Sequence, residues 1–145
     1  EMMAVLPPQH PLAKEKILSL VQLANEPFIL LDEGIHCVPI DAFHKLGLQP
    51  HIEYTVYDDY SILSMVRQGL GVSIMYRLVL AGFENGLVLR PVKEPLERTL
   101  SLAWRNWDTL PLAARRFAEF IIQQSPQILP RLSVKGLQAF PPSQP

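Results

Sequence analysis

Short apolar runs, separated by glycines, prolines and polar residues, divide the chain into strands and helices. The first run, Met2–Leu6, predicts a strand. A second run, Phe28–Leu31, is apolar at every position, which is typical of a strand covered on both faces. Between them, Ser19 precedes an apolar stretch that Pro27 ends, and this pattern predicts a capped short helix.

Two strand–loop–helix units follow. Behind the second strand, Pro39 suits the first turn of a helix. Residues 51–57 then alternate between apolar and polar side chains, and Asp58 or Asp59 can cap a helix that ends at Gly69. The repeated order of strand, helix and strand predicts an α/β fold with a mainly parallel sheet.

The remaining chain predicts three more strands, a final helix and a tail. Residues 72–75 form a short buried strand pattern, and residues 87–92 predict an edge strand because Pro91 cannot donate to a ladder. Residues 97–104 alternate as a further strand. An apolar stripe at helical spacing then runs from Leu110 to Ile121. Beyond Ser125 the prolines show no period, and we expect an extended or disordered end.

Composition narrows the class of protein. The chain has 145 residues, of which 48% are hydrophobic and 19% charged, a balance typical of one globular domain. It contains no run of about 18 apolar residues, the length that a membrane helix needs. The net charge of -1 argues against nucleic acid as a direct partner, because phosphate binding requires clustered Lys and Arg. We expect a soluble domain without membrane or DNA contacts of its own.

Cysteine and histidine usage bears on compartment and cofactors. Cys37 is the single cysteine, which excludes an internal disulfide and favours a reducing compartment such as the cytoplasm. The four histidines lack the i, i+4 spacing of a helical metal pair. The glycines of residues 69–71 are not a dinucleotide fingerprint, because Ile74 occupies the third glycine position and the order is helix to strand. We therefore expect neither a metal nor a cofactor.

The loop behind the second strand is the first candidate binding site. Gly34, Ile35, His36 and Cys37 lie directly before a predicted helix. Free N–H groups and the positive end of the helix dipole attract a carboxylate or phosphate at such a position. Ligands of α/β proteins bind at loops of this kind. Every such loop shares the geometry and most bind nothing, so the pattern leaves both readings open.

A catalytic role for the neighbouring His36 and Cys37 is the weaker reading. An imidazolium near a thiol lowers the thiol pKa. Adjacent side chains usually point apart, however, and a lone cysteine is most often a small buried hydrophobe. The sequence offers no activated nucleophile or metal set elsewhere, so we predict no catalytic residues and no enzyme activity.

Four segments, in the same order, resemble the effector-binding domain of LysR-type transcriptional regulators. These segments are residues 3–12, residues 23–30, residues 57–59 with 65–74, and residues 112–122. The resemblance extends over nearly all of the chain apart from the tail. In the family a proline usually follows the segment that ends at Ile74, whereas this sequence continues Met75-Tyr76-Arg77, which changes the cleft wall near Tyr76.

The resemblance implies a fold and a division of the chain. The family domain is similar to type II periplasmic binding proteins, in which two α/β lobes joined by two crossing strands enclose a small molecule. Residues 1–11 then correspond to the strand leaving the first lobe and the hinge, and residues 12–95 to the complete second lobe. Residues 96–124 correspond to the return strand and final helix of the first lobe, and residues 125–145 to a Pro-rich tail. A winged helix-turn-helix and the front of the first lobe are expected upstream of Glu1.

The resemblance also implies a function. A small anionic effector is expected to bind in the interlobe cleft and shift a homo-oligomer, either a dimer or a tetramer, whose DNA-binding domains are absent from this chain. The expected effector contacts are Gly34, Ile35, His36 and Cys37 for polar groups, and Tyr57, Asp58, Gly71 and Tyr76 for the cleft wall. For Asp58 the alternative is a purely capping role. A fragment of a periplasmic solute-binding protein of the same fold is the alternative for the whole chain, and a signal peptide upstream would favour it.

Overall fold

The computed structural model describes residues 1–34 and 37–128, with side chains up to residue 125. Most of the predicted tail therefore lies outside the described residues. The chain divides into two compact units, Glu1–Arg98 and Thr99–Pro145. The strands are β1 Met2–Leu6, β2 Phe28–Leu31, β3 Ile52–Val56, β4 Ser73–Tyr76 and β5 Val88–Pro91. The helices are α1 Leu20–Leu23, α2 Val38–Lys45, α3 Asp59–Arg67, α4 Arg77–Leu80 and α5 Leu112–Ile128, with a 3₁₀ helix at Pro11–Lys14.

The strands form two sheets, and the prediction of a mainly parallel sheet is wrong for the larger one. Strand β1 lies between β4 and β5 and runs antiparallel to both, while β2 and β3 pair in parallel. The strand–helix–strand order correctly orients β2 and β3 relative to each other. It contains no information on β1, because no crossover helix directly links β1 to either of its two partners. Strand β5 lies at an edge of its sheet, where Pro91 is tolerated, as predicted.

A parallel bridge joins the two sheets. Phe28 of β2 pairs with Val72 just before β4, and the Ile29 backbone N–H donates to the Val72 carbonyl at 2.8 Å. The buried Ser73 hydroxyl donates to the Ile29 carbonyl oxygen at 2.7 Å. These bonds align the carboxyl ends of β2 and β4, which places the loops behind both strands side by side.

Hydrophobic clusters cover both faces of β1, all of whose residues are buried. Ala4 and Leu6 face a cluster that includes Leu20 and Leu23 of α1 and Phe43 of α2. Met3 and Val5 face the opposite cluster, built with Ile62, Leu63 and Val66 of α3 and Leu80 of α4. The unit therefore has three layers, with α1 and α2 on one side of the strands and α3 and α4 on the other.

Both side-chain caps predicted from the sequence are confirmed. Ser19 accepts a hydrogen bond from the Gln22 backbone N–H, and the Gln22 side chain accepts one from the Ser19 backbone, which completes a capping box. Asp58 accepts from the Ser61 backbone N–H at 2.8 Å and caps α3. Each cap satisfies backbone donors that have no partner within the helix.

The strand predicted over residues 97–104 is wrong, because these residues form no ladder with any described strand. Leu100, Leu102 and Trp104 alternate as expected of a strand but are exposed. A segment with alternating apolar residues forms a ladder only when a partner strand lies beside it, and no described strand lies beside residues 97–104.

The part of the second unit that the structure describes, residues 99–128, contains an irregular segment followed by helix α5. Trp104 and Trp107 pack edge to face with ring centroids 5.2 Å apart. The Arg115 guanidinium donates to the carbonyl oxygens of Leu110 and Asp108, at 3.2 and 3.1 Å, and so fixes the entry of the helix.

Candidate functional site

A hollow opens at the carboxyl ends of β2 and β4, within the first unit. It encloses about 280 Å³ including its open mouth. Its lining is mainly apolar, and the polar side chains among the lining residues are those of Glu33, Cys37, Asp59 and Tyr76. The lining residues are Met2, Phe28, Leu30, Leu31, Glu33, Cys37, Pro39, Asp59, Ile74, Met75 and Tyr76. The hollow brings together Cys37 and Tyr76 from the predicted set.

The loop from β2 to α2 forms one side of the hollow. Gly34 has a φ of +84°, a conformation that favours glycine. Its backbone N–H donates to Asp32 Oδ1 at 2.8 Å. Ile35 and His36, which belong to the predicted contact set, lie outside the described residues.

Cys37 is the N-cap residue of α2, but its side chain makes no capping hydrogen bond. The thiol donates instead to the Leu31 carbonyl oxygen at 3.7 Å. Burial raises the pKa of the Cys37 thiol, and the carboxylates of Glu33, Asp41 and Asp32 add to the rise, while the Ile40 backbone N–H opposes it. A protonated thiol is a poor nucleophile. The environment therefore favours Cys37 as a residue that lines the hollow and disfavours it as a nucleophile.

Tyr76 forms the opposite side of the hollow, at the end of β4. Its hydroxyl donates to Glu33 Oε2 at 3.4 Å, and the Arg98 guanidinium lies 5.5 Å from its ring centroid. Arg98 Nη1 is also 3.2 Å from Glu33 Oε1. Burial raises the pKa of the Tyr76 phenol, the nearby Arg98 guanidinium opposes the rise, and the Glu33 carboxylate adds to it. The phenol therefore remains a neutral donor at neutral pH.

The loop from β3 to α3 contributes a different residue from those predicted. Tyr57 is 80% exposed and Asp58 points its carboxylate at Ser61 as the helix cap; neither lines the hollow. Asp59, the next residue, does line it. Burial raises the pKa of the Asp59 carboxyl and the neighbouring Asp58 charge adds to the rise.

Gly71 lies at the opposite end of β4 from Tyr76, and the structure gives it a packing role. A Cβ built on Gly71 would approach the Pro27 carbonyl oxygen to 2.4 Å. The absence of a side chain is what allows β4 to come close to the start of β2. Gly71 does not belong to the hollow.

Sequence reasoning missed Glu33, Asp59 and Arg98. Glu33 and Asp59 each lie beside a predicted residue, so the end-of-strand argument could have included them. Arg98 is 65 positions from Glu33, and no periodicity links positions so far apart.

Other kinds of site find little support in the part of the chain that the structure describes. Within residues 1–34 and 37–128, no group of three His, Cys, Asp or Glu side chains is placed to hold a metal ion. Among those same residues, no helix combines the length and the apolar content that crossing a bilayer requires.

The comparisons with known proteins agree on one family. The family described as "LysR substrate binding domain" matches residues 1–126. The HTH-type transcriptional regulator YvbU of Bacillus subtilis is 33% identical over 121 residues, which is 82% of this chain and 41% of that protein. The chain thus spans about two-fifths of the length of this relative.

Two solved structures illustrate the fold. HinK, a LysR family transcriptional regulator from Pseudomonas aeruginosa, is 29% identical with a TM-score of 0.67, over 86% of this chain and 44% of that one. The effector binding domain of QuiR in complex with shikimate is 21% identical with a TM-score of 0.66, over 88% of this chain and 62% of that one. At this identity, the second likeness concerns the fold alone.

These relatives are transcription regulators rather than enzymes, and none of them favours a periplasmic solute-binding protein. The family match covers most of the chain. The same residues form the sheets, the core on both faces of β1 and the hollow at the strand ends. The chain therefore belongs to the LysR substrate-binding domain family and has its type II periplasmic-binding-protein-like fold.

Proposed function

We propose that this chain senses a small anionic metabolite, which binds in the hollow at the carboxyl ends of β2 and β4. The polar contacts come from the loop between β2 and α2, at Cys37, and from Tyr76, and the apolar lining residues exclude water. The protein to which this domain belongs regulates transcription and catalyses no reaction. Its DNA contacts come from another domain, and it works as a homo-oligomer.

The hollow itself is the observation that carries this proposal. It combines a mainly apolar lining, a neutral phenol donor at Tyr76 and the N-terminal end of α2 at Cys37. A helix N-terminus favours a negative group, and ligands of α/β proteins collect outside the carboxyl ends of strands.

The chain contributes to two lobes. We assign residues 12–95 to the second lobe, together with β1, which pairs with β4 and β5, and residues 96–124 to the first lobe and its connections. A ligand that contacts both lobes binds one arrangement of them more tightly than the other, and that difference in affinity is what shifts the population.

Calorimetry tests the proposal. The chain is titrated with shikimate, the ligand in the QuiR structure, with inorganic phosphate, and with glucose as a neutral control. We expect saturable heat from at least one anionic compound and none from glucose. Failure of every anionic compound in a wider panel of metabolite acids would contradict the proposed function.

A pair of tyrosine variants tests the location of the site. Tyr76→Leu removes the phenol from the hollow and is expected to weaken binding at least about tenfold, the effect of losing a hydrogen bond to a charged group. Tyr60→Leu is the matched control, because Tyr60 is 64% exposed and pairs with Phe83 away from the hollow. Equal affinities for the two variants would show that the ligand binds elsewhere.

A further inference from the structure

Three side chains meet at the mouth of the hollow and form a closed cluster, here called the rim triad: Glu33, Tyr76 and Arg98. One carboxylate oxygen of Glu33 is 3.2 Å from Arg98 Nη1. The other accepts from the Tyr76 hydroxyl at 3.4 Å. The Arg98 guanidinium also lies over the Tyr76 ring, 5.5 Å from its centroid.

The charged side chains that line the hollow are negative, which makes the nearby Arg98 important for binding an anion. The charged residues among those that line the hollow are Glu33 and Asp59, both acidic. The carboxylates of Asp32 and Asp41 also act on the nearby Cys37 thiol. An anion that enters this hollow meets repulsion unless a cation compensates it. Arg98 is the cation that touches two lining residues, Glu33 and Tyr76.

The contact between Arg98 and Glu33 is open to exchange. The side chain of Arg98 is 54% exposed and that of Glu33 19% exposed. Because more than half of the Arg98 side chain is exposed, water screens its side of the pair, and holding two long side chains in one geometry costs rotamer freedom. A guanidinium also presents a planar fork of donors that suits a carboxylate or a phosphate in two-point contact.

We propose that Arg98 is the anchor for the anionic group of the effector, and that the effector's carboxylate or phosphate takes the place of Glu33 on the guanidinium. This inference rests on the proposed function and adds the residue that holds the negative group. Tyr76 keeps the guanidinium over the mouth through its ring, while Glu33 holds the same position in the absence of ligand.

The exchange also gives ligand binding a mechanical consequence. Arg98 is the last residue of the first unit and is bonded directly to Thr99, the first residue of the second. When a ligand replaces Glu33, the chain at this junction is tied to the ligand instead of to the loop behind β2. Glu33, released from the guanidinium, is free to contact donor groups on the ligand.

Nuclear magnetic resonance with inorganic phosphate as the probe tests the exchange without knowledge of the natural effector. Phosphate is titrated into the full chain at constant ionic strength, with chloride as the balancing anion. We expect the Nε–Hε signal of Arg98 to move in a saturable manner. The signal of Arg116 is the internal control, because Arg116 forms a similar exposed pair, with Glu119 at 3.5 Å. Equal responses of the two arginines, or none from Arg98, would overturn the proposal.

Variants separate the anchor from its competitor. Arg98→Gln should weaken phosphate binding at least about tenfold, whereas Arg116→Gln should leave it unchanged. Glu33→Gln removes the competing carboxylate and should tighten binding by up to about fivefold, the equivalent of one exposed ion pair. Asp59→Asn removes a charge from the same hollow without freeing Arg98, and should tighten binding less than Glu33→Gln does.

The outcomes distinguish this inference from the proposed function. If metabolite acids bind but bind Arg98→Gln as tightly as the unchanged chain, the site stands and the anchor is wrong. If phosphate shifts the Nε–Hε signal of Arg98 but no metabolite acid binds, the role of Arg98 as an anion anchor is supported and the sensing function is wrong. Should Arg98→Gln fail to fold, weaker binding by Glu33→Gln would still refute the exchange.

Discussion

Gly71 occupies a position where the backbone of another strand leaves no room for a side chain. A Cβ there would be 2.4 Å from the Pro27 carbonyl oxygen and 3.2 Å from the Ile29 side chain. The first of these neighbours is backbone in the bridge between the two sheets, so it cannot turn aside as a flexible side chain would.

We therefore expect Gly71→Ala to destabilise the protein by about 1–3 kcal/mol, the usual cost of overpacking. Urea unfolding measures the change. Gly47→Ala is the matched control: Gly47 has a φ of +69° but nothing within 4 Å of the new Cβ, so only backbone strain of about 1 kcal/mol applies. A smaller effect at Gly71 than at Gly47 would contradict the packing role.

The start of helix α3 shows how one carboxylate can stabilise an element. Asp58 accepts from the Ser61 backbone N–H at 2.8 Å and from the Ser61 hydroxyl at 2.6 Å. These bonds, the hydroxyl first, lower the pKa of Asp58 below its usual value of 3.8. A carboxyl whose pKa is lower in the folded state stabilises the fold above its unfolded pKa. That contribution is lost as the pH falls through the folded pKa.

The expected result for Asp58→Ala is a loss of stability at pH 7 that shrinks as the pH falls below about 4. Unfolding measured from pH 7 down to pH 2 tests this, provided the chain stays folded over the range. Ser61→Ala is the companion variant, because it removes the main cause of the shift and should return the Asp58 pKa, followed by carboxyl resonances, toward its ordinary value. A difference between Asp58→Ala and the unchanged chain that is the same at every pH would rule out the ionised cap.

At the scale of the whole molecule, the two core clusters lie entirely within the first unit. Every buried residue of both clusters falls between Met2 and Leu96, and the unit ends at Arg98. A domain folds by itself when its hydrophobic core is complete.

We expect a fragment of residues 1–98 to unfold in one cooperative transition in urea, followed by circular dichroism. The control is a fragment of residues 1–87, which lacks β5 and with it the partner of β1 on one side. The shorter fragment should lose the cooperative transition because β1 then has a bare edge. Absence of a transition in the longer fragment would show that its core depends on the remaining chain.

Much of the fold could be predicted because its causes are local. Ser19 and Asp58 each carry an oxygen that reaches a backbone N–H three residues ahead, so the helix starts are written in adjacent positions. The apolar run Phe28–Leu31 likewise marks its strand. The strand predicted at residues 97–104 shows the limit, since alternation describes one strand and a ladder needs two.

The candidate site was predictable only in part. The sequence pointed to the loops behind β2 and β4, and of the six predicted contacts that the structure describes, Cys37 and Tyr76 line the hollow. Gly71 was assigned to the cleft wall because of the family resemblance, whereas the structure shows close packing against the Pro27 backbone. Arg98 carried no signal in the sequence, because an arginine in a connecting segment looks the same whether or not it meets a partner.

The sequence by itself determined the approximate positions of strands β1 to β5 and of the helices, the apolar faces that form the core, and the family to which the chain is similar. These features depend on interactions between residues a few positions apart, and such interactions can be read from spacing. Only the tertiary structure decided that β1 runs antiparallel to both neighbours and that Glu33, Tyr76 and Arg98 share one rim. Their meeting depends on how the layers pack, and packing couples positions that no local pattern relates.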